Sequence, residues 1–272
     1  MTGPRDPDRY AHGHHASVLR SHRWRTAENS AGYLLPHLSP KDRLLDVGVG
    51  PGTITVDLAE RLSEGWVTGI DSAEAAVAAT RELAVERGAG RITVEVGNVY
   101  ALAYDDDSFD VAHAHQVLQH LSDPVAALVE MRRVVRSGGL VAARDADYAA
   151  MTWYPADPRL DRWLELYHQV ARAAGGEPDA ARRMRQWAQH AGFLLVTYSA
   201  STWCFANPDD VAWWSQTWSE RVVRSEFATQ ALATGLADAA ELADLSAGWR
   251  WWGEHPDAWF AVLHGELLAE VP

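Results

Sequence analysis

The sequence predicts one α/β domain on a seven-stranded, mostly parallel sheet whose last strand is antiparallel, with helices on both faces and a helical cap. Three observations carry that expectation. Short apolar or β-branched runs alternate with longer segments rich in Ala, Leu and Glu through the first half of the chain. A glycine-rich turn follows the first of those runs. Beyond Asp145 the alternation stops and apolar residues recur at helical spacing.

Taken in order, residues 43–47, 66–70, 92–96, 109–113 and 139–143 have strand length and composition. Residues 53–62, 73–87 and 123–135 between them have the composition of helix interiors. Strands joined through helices run parallel with right-handed crossovers, so helices cover both faces. Next, Leu160, Trp163, Leu164, Tyr167 and Val170 mark one helix, and residues 180–190 a second that stops at Gly192. Residues 193–199 read as a strand. Asn207 and Pro208 supply a cap and a first-turn proline for a helical stretch reaching about residue 252, with Val211, Trp214, Trp218 and Val222 on one face. That stretch reads as an insertion in an antiparallel edge hairpin completed by residues 259–268. The single domain, 1–272, thus divides into an N-terminal helical lid (1–37), a ligand-binding core (38–145) and cap segments (149–180 and 203–256).

Acidic residues outnumber basic ones by 37 to 24, a formal charge of −13, and no run of Lys or Arg offers a footprint for a phosphate backbone. Nucleic acid is therefore not an expected partner. No apolar stretch approaches the roughly 20 residues of a membrane helix, and residues 1–8 are polar, so a cytoplasmic monomer or homodimer with no membrane partner is expected. Cys204, the one cysteine, lies between Trp203 and Phe205, where burial as a small hydrophobe is expected.

The sharpest local signal is Leu44-Leu45-Asp46-Val47-Gly48-Val49-Gly50-Pro51-Gly52-Thr53, a strand that ends in glycines and opens a helix. Without Cβ atoms the glycines permit positive φ and let backbone approach a ligand at the carboxyl edge of the sheet. The spacing is Gly-x-Gly-x-Gly rather than the dinucleotide Gly-x-Gly-x-x-Gly, and Asp46 stands two residues before the first glycine. A carboxylate there repels a pyrophosphate and attracts an ammonium group. Asp71, nineteen residues beyond Gly52, has the position of a ribose-binding carboxylate; with Ser72 after it, it equally suits a helix cap. Gly97-Asn98-Val99 suits an adenine edge or a plain turn.

In this order and spacing the three signals resemble the class I S-adenosylmethionine-dependent methyltransferases, most closely their ubiquinone and menaquinone biosynthesis-type group. The resemblance spans about residues 33–145 and includes Phe109-Asp110-Val111-Ala112-His113-Ala114-His115-Gln116-Val117-Leu118-Gln119-His120-Leu121-Ser122-Asp123-Pro124, similar to that group's fourth-strand segment. It implies a Rossmann-like fold, S-adenosylmethionine as cofactor, and methyl transfer to an oxygen or nitrogen, less readily a carbon, of a small-molecule acceptor. It further implies that Asp46, Gly48, Gly50 and Gly52 hold the methionine part, Asp71 the ribose, and Asn98 and Val99 the adenine, with His115 and Gln116 beside the sulfonium; Thr53 and Ser72 are further expected cofactor contacts. Asn98 stands where aspartate is commoner, and an amide can both donate and accept. Arg136-Ser137-Gly138-Gly139 replaces a proline-containing turn.

Methyl transfer needs alignment and exclusion of water more than it needs a base. His115 is the first choice to face the reaction centre and Asp145 to take a proton, against the blander roles of structural hydrogen-bonder and cap. Asp145 and Asp147 alternate along a strand end and so share a face. Asp147, Tyr148, Trp153 and His14 are expected acceptor contacts, and Tyr10 and Arg25 expected donor contacts from the lid. His12, His14 and His15 lack a carboxylate or cysteine partner at useful spacing, so no metal is expected. Eleven of the 13 tryptophans fall between Trp153 and Trp259, a wall for a flat aromatic acceptor or, given the acidic balance, a cationic amine. Trp163, Trp214 and Trp218 are expected in the core; Trp153, Trp251 and Trp252, at segment ends, at the pocket. Two rivals remain: a nicotinamide-dependent dehydrogenase, which wants the other glycine spacing, and a donor-binding protein that does not methylate, either a binding module or a cyclisation catalyst.

Overall fold

Eight strands make one sheet in the computed structural model, which describes residues 24–272; Tyr10 and His14 lie outside the described residues. Strands β1 (Arg43–Val47), β2 (Trp66–Asp71), β3 (Ile92–Val96), β4 (Phe109–His115) and β5 (Val135–Ala146) pair in parallel in the order β3-β2-β1-β4-β5. Three more, β6 (Thr152–Tyr154), β7 (Leu195–Phe205) and β8 (Trp259–Glu270), complete it: β8 runs antiparallel to β5, β6 and β7. The strand beyond the expected seven is β6. Its three residues pair with Trp259, Phe260 and Ala261 and are too few to show a period.

Helices α1 (Ala27–Ala31), α2 (Thr53–Arg61), α3 (Glu74–Glu86), α4 (Pro124–Val134), α5 (Pro158–Ala173), α6 (Ala181–His190), α7 (Pro208–Arg224), α8 (Glu226–Ala233) and α9 (Ala239–Gly253) surround the sheet. The alternation of side chains along each strand divides its two faces. Leu45, Val47, Ala112, Ala114, Val141 and Ala143 meet Leu128 and Met131 of α4 and Met184 and Ala188 of α6. Leu44, Val111 and Ala142 meet Ala27 and Ala31 of α1 and Ile54 and Leu58 of α2.

The expected helical stretch after Asn207 is three helices, α7 to α9, and it starts where Asn207 Oδ1 accepts the Asp210 N–H at 2.9 Å. The cap segment therefore begins at Pro208 rather than 203, because Trp203 and Phe205 belong to β7 and point inward. Cys204 between them is exposed, which corrects the expectation of burial: the period of two turns it outward. Trp163 packs edge-on against Trp218 at 4.5 Å and Trp249 at 4.8 Å, with Trp214 in the same cluster, so the helical spacing marked core as expected. No helix among the described residues is long and apolar enough to cross a membrane.

Candidate active site

At the carboxyl edge of the sheet, the turn after β1 holds Gly48, Gly50 and Gly52 at φ of 76°, 54° and 85°. A Cβ on Gly48 would stand 2.4 Å from Val117 Cγ2, and one on Gly52 2.6 Å from Thr80 Cγ2. The turn is thus locked against the loop after β4 and against α3, presents bare backbone, and leads into Thr53, the first residue of α2. Asp71, at the end of β2, accepts the Gly50 N–H on Oδ2 and the Ala73 N–H on Oδ1, each at 3.0 Å. A carboxylate offers about four acceptor positions, so about two remain for hydroxyl donors. Ser72 lies in the same turn, and Asn98 builds its own turn by accepting the Tyr100 N–H at 2.9 Å, with Val99 half-buried beside it.

Asp46 requires a correction. It was expected to meet the ammonium of the methionine part, yet it is 3% exposed, and both carboxylate oxygens are taken: Oδ2 by the Thr55 hydroxyl at 2.6 Å, Oδ1 by His113 Nδ1 at 2.7 Å. The pleat sends Asp46 to the α2 side, where a buried carboxylate needs partners. It ties β1 to α2 and β4 beneath the turn.

At the end of β4, His115 is 6% exposed, and neither ring nitrogen has a hydrogen-bond partner among the described residues. Its ring lies 5.6 Å from Trp203 and 6.2 Å from His264. Burial first, then the charges of Arg25 and Arg144, hold it well below the usual histidine range, so the imidazole is neutral. Gln116 follows at φ 52°, a left-handed backbone that costs a non-glycine residue about 1 kcal/mol or more. Three bonds hold it there. Its N–H donates to Arg144 O at 2.7 Å, its Oε1 accepts from Arg25 at 2.5 Å, and its Nε2 lies 2.8 Å from His264 Nε2. His264 Nδ1 is 3.0 Å from Val262 O; the network therefore assigns the His264 proton to Nδ1 and makes Nε2 the acceptor for Gln116.

The two aspartates of β5 and its following turn share a face, as expected, but it is the wrong one for the cleft. His115 pairs with Arg144, so Asp145 points to the opposite side, where it is fully buried and its Oδ1 accepts the Gln119 N–H at 3.1 Å. Asp147 is gripped by Arg182 of α6 at 2.7 and 2.5 Å and accepts the Ala150 N–H at 3.1 Å. Neither is among the residues that line the cleft beside Gln116, which corrects both assignments. Trp153 is a third correction. It stacks on Phe260 at 5.5 Å within the cap core, because β6 carries it onto β8. Trp252 is likewise core, donating to Tyr154 O at 3.0 Å, while Trp251 lies on the surface.

A cleft does open beside Gln116, between the sheet edge and α7. Trp24, Arg25, Tyr148, Trp203, Phe205, Trp213, Trp214, Trp218 and Arg221 line it. It measures about 440 Å³, open solvent at its mouth included. Tyr148 stands in it, stacked on Tyr167 at 4.0 Å. Trp24, Trp203, Trp213 and Arg221 were missed in the sequence, as were Arg144, His264 and Glu266 behind Trp203. A charge such as Arg144 inside an otherwise apolar strand was the available signal.

A methyltransferase-domain family model matches residues 38–203. An uncharacterized methyltransferase of Schizosaccharomyces pombe is 34% identical over 284 residues, 98% of each chain. This chain belongs to the class I S-adenosylmethionine-dependent methyltransferases. A demethylmenaquinone methyltransferase of Roseiflexus castenholzii is a further relative of the methyltransferase, 33% identical over 153 residues, 54% of this chain and 60% of that one. Geranyl diphosphate methyltransferase, solved with its S-adenosylmethionine, shares the fold at a TM-score of 0.54 and 18% identity, over 94% of this chain and 89% of that one. S-adenosylmethionine is accordingly the cofactor, and the methyltransferase's bare glycine turn and the remaining acceptor positions of Asp71 fit it. Among the described residues no group of three or more His, Cys, Asp or Glu could hold a metal ion.

Proposed function

We propose that this methyltransferase acts on a flat aromatic small molecule seated in the tryptophan-lined cleft. The observation that carries the reading is the position of Gln116: one residue lines the cleft and abuts, through Val117, the glycine turn. On this reading the backbone of Gly48, Gly50, Gly52 and Thr53 faces the methionine part of the cofactor, Asp71 and Ser72 the ribose, and Asn98 and Val99 the adenine. Arg25, His115 and Gln116 stand at the boundary with the acceptor, and Tyr148 and the tryptophans hold its ring.

S-adenosylmethionine, held by the glycine turn and Asp71, would supply a methyl group activated by positive sulfur for transfer to an acceptor lone pair, any acceptor proton passing to solvent. The chain's own task is alignment. The three bonds on Gln116 fix the wall between the two ligands, and the ring-lined slot keeps water out. Holding reactants in line accounts for roughly 7–11 kcal/mol in well-oriented systems, against a factor of about 10² to 10⁴ from a general base. His115, neutral and buried, serves as a hydrogen-bonding partner rather than a strong base.

Isothermal titration with S-adenosylmethionine, S-adenosylhomocysteine and NADH tests the donor half. Micromolar affinity for the first two and none for NADH is expected, and failure of both to bind refutes the donor site. Quenching of tryptophan fluorescence by phenol in the presence of S-adenosylhomocysteine tests the aromatic half, and an unchanged spectrum at millimolar phenol refutes it.

A further inference from the structure

Asp145 has no place in the cleft, yet it is completely buried beside the loop that leaves β4. Its carboxylate accepts the N–H groups of Leu118 and Gln119, the first two residues of the short turn Leu118–His120, with Gln119 at 3.1 Å. Val117, just before that turn, is the residue whose Cγ2 stands where a Cβ on Gly48 would go. His120 closes the turn back on it, donating its N–H to Val117 O at 2.9 Å. A displacement of the turn therefore reaches Gly48 through a single side chain. The loop is docked on β5 by the Gln116 N–H to Arg144 O at 2.7 Å, by the Ala146 N–H to Gln119 Oε1 at 3.2 Å, and by Asp145. Only the bonds to Asp145 change strength with its protonation, since an ionised acceptor makes hydrogen bonds roughly twice as strong as a neutral one.

We propose that Asp145 is a positioning residue for the cofactor: its negative charge grips the turn after β4 from the far side of the sheet, and through Val117 that grip holds the glycine turn in its binding shape. This rests on reading the glycine turn as the donor site. The charge is adjustable near neutral pH. Burial raises the carboxyl, and the Gln119 and Leu118 N–H groups, Arg144 on the same strand and Arg25 before α1 only partly offset it, leaving it at about 7. The other groups around it keep one state there. Its partner on β8 is Gly265, which brings no side chain, and Glu266 beside that glycine is paired with Arg144. Tyr198 of β7 and Tyr33 after α1 are pushed up by burial and stay neutral. Asp147 is held by Arg182 of α6. Burial keeps His115 and His264 well below the usual histidine range and His120 at about 3. Cofactor affinity therefore rises with pH as Asp145 ionises.

The test is calorimetric titration of the full chain with S-adenosylhomocysteine between pH 5.5 and pH 8.5, wild type beside Asp145→Asn. Wild-type affinity is expected to rise about threefold or more with a midpoint at about 7. Asp145→Asn accepts the Gln119 N–H without a charge and is expected to keep the wild-type affinity of pH 5.5 across the range. A merely structural role moves the whole curve and leaves its slope alone. Val117→Ala keeps Asp145 but cuts the contact with Gly48, and is expected to flatten the slope. A wild-type profile that is flat or falling, or an Asn variant as steep as the wild type, overturns the proposal. The amide resonances of Gly48, Leu118 and Gln119 in the cofactor-free wild type give a second measurement by NMR. They are expected to shift together with one midpoint, and a Gly48 amide that stays still while the other two move breaks the link through Val117. Failure of S-adenosylhomocysteine to bind at any pH refutes the donor site instead, and the amide titration then decides whether Asp145 holds the glycine turn.

Discussion

Asp145→Asn isolates the energetic consequence of burying one carboxyl group. Asp145 is 0% exposed, its Oδ1 accepts the Gln119 N–H, and its Oδ2 has no hydrogen-bond partner among the described residues. Burial, only partly offset by the Gln119 and Leu118 N–H groups and by the charges of Arg144 and Arg25, pushes the carboxyl from 3.8 up to about 7. The folded state therefore holds the proton more tightly than the unfolded chain. Stability from this group is fully present below about pH 4 and is lost as pH rises through about 7. Moving the carboxyl from 3.8 to about 7 corresponds to about 4 kcal/mol in all, of which roughly 2 to 3 kcal/mol is lost between pH 5 and pH 8. Asparagine keeps the shape and the acceptor for Gln119 but cannot ionise. Any penalty from its extra N–H groups is the same at both pH values and cancels in the difference. Urea unfolding of both proteins at pH 5 and pH 8 should therefore show the gap moving by roughly 2 to 3 kcal/mol in favour of Asn. A constant gap, or one moving toward Asp, refutes the reasoning and means that Arg144 keeps the carboxylate ionised.

Gly48→Ala puts a Cβ at φ 76° and 2.4 Å from Val117; a stability loss of about 1–3 kcal/mol by urea unfolding and at least a tenfold loss of S-adenosylhomocysteine affinity are expected. Asp71→Asn keeps a partner for one of the two N–H groups but loses the charge, so calorimetry should show cofactor affinity falling by about 1.5–3 kcal/mol; unchanged affinity removes Asp71 from the ribose. Arg144→Met alone leaves Glu266 buried without its partner and should cost about 3–5 kcal/mol, whereas Arg144→Met with Glu266→Leu should recover most of that loss. In the double variant the His115 ring, freed of one neighbouring cation, should titrate at higher pH by NMR than in the wild type. A double variant as unstable as the single one shows that the pair is more than a matched burial.

The carboxyl edge of the sheet was legible because its signals are local: glycines at positive φ, an aspartate ending a strand, and an Asn that turns on itself need only a few neighbours. The cleft was not. Trp24, Trp203 and Trp213 come from the chain before β1, from β7 and from α7, and meet only because β8 returns between β5 and β7. Segment ends misled for Trp153 and Trp252, since each end is covered by another element, Phe260 on β8 and the carbonyl of Tyr154. Asp145 and Asp147 show the limit of periodicity: it fixed that they share a face, but which face the cleft occupies depends on where α6 and α7 dock.

That last point shows how a chain of formal charge −13 can still place a guanidinium beside the tryptophans. In and just beyond β5, Arg144, Asp145 and Asp147 follow almost directly, and the pleat separates them, guanidinium toward Trp203, both carboxylates toward α4 and α6. A slip of one residue would exchange the two sets and put the carboxylates under the tryptophans. The register is held on both sides, by His115 against Arg144 on β4 and by Leu140 through Ala146 against Glu270 through His264 on β8. The side of the sheet on which Arg144 and the two carboxylates stand is therefore set by strand pairing and not by composition. The same pairing ties the cleft wall to the edge of the sheet: β8 supplies Glu266 to hold Arg144, and His264 to hold Gln116, on alternate residues of one face.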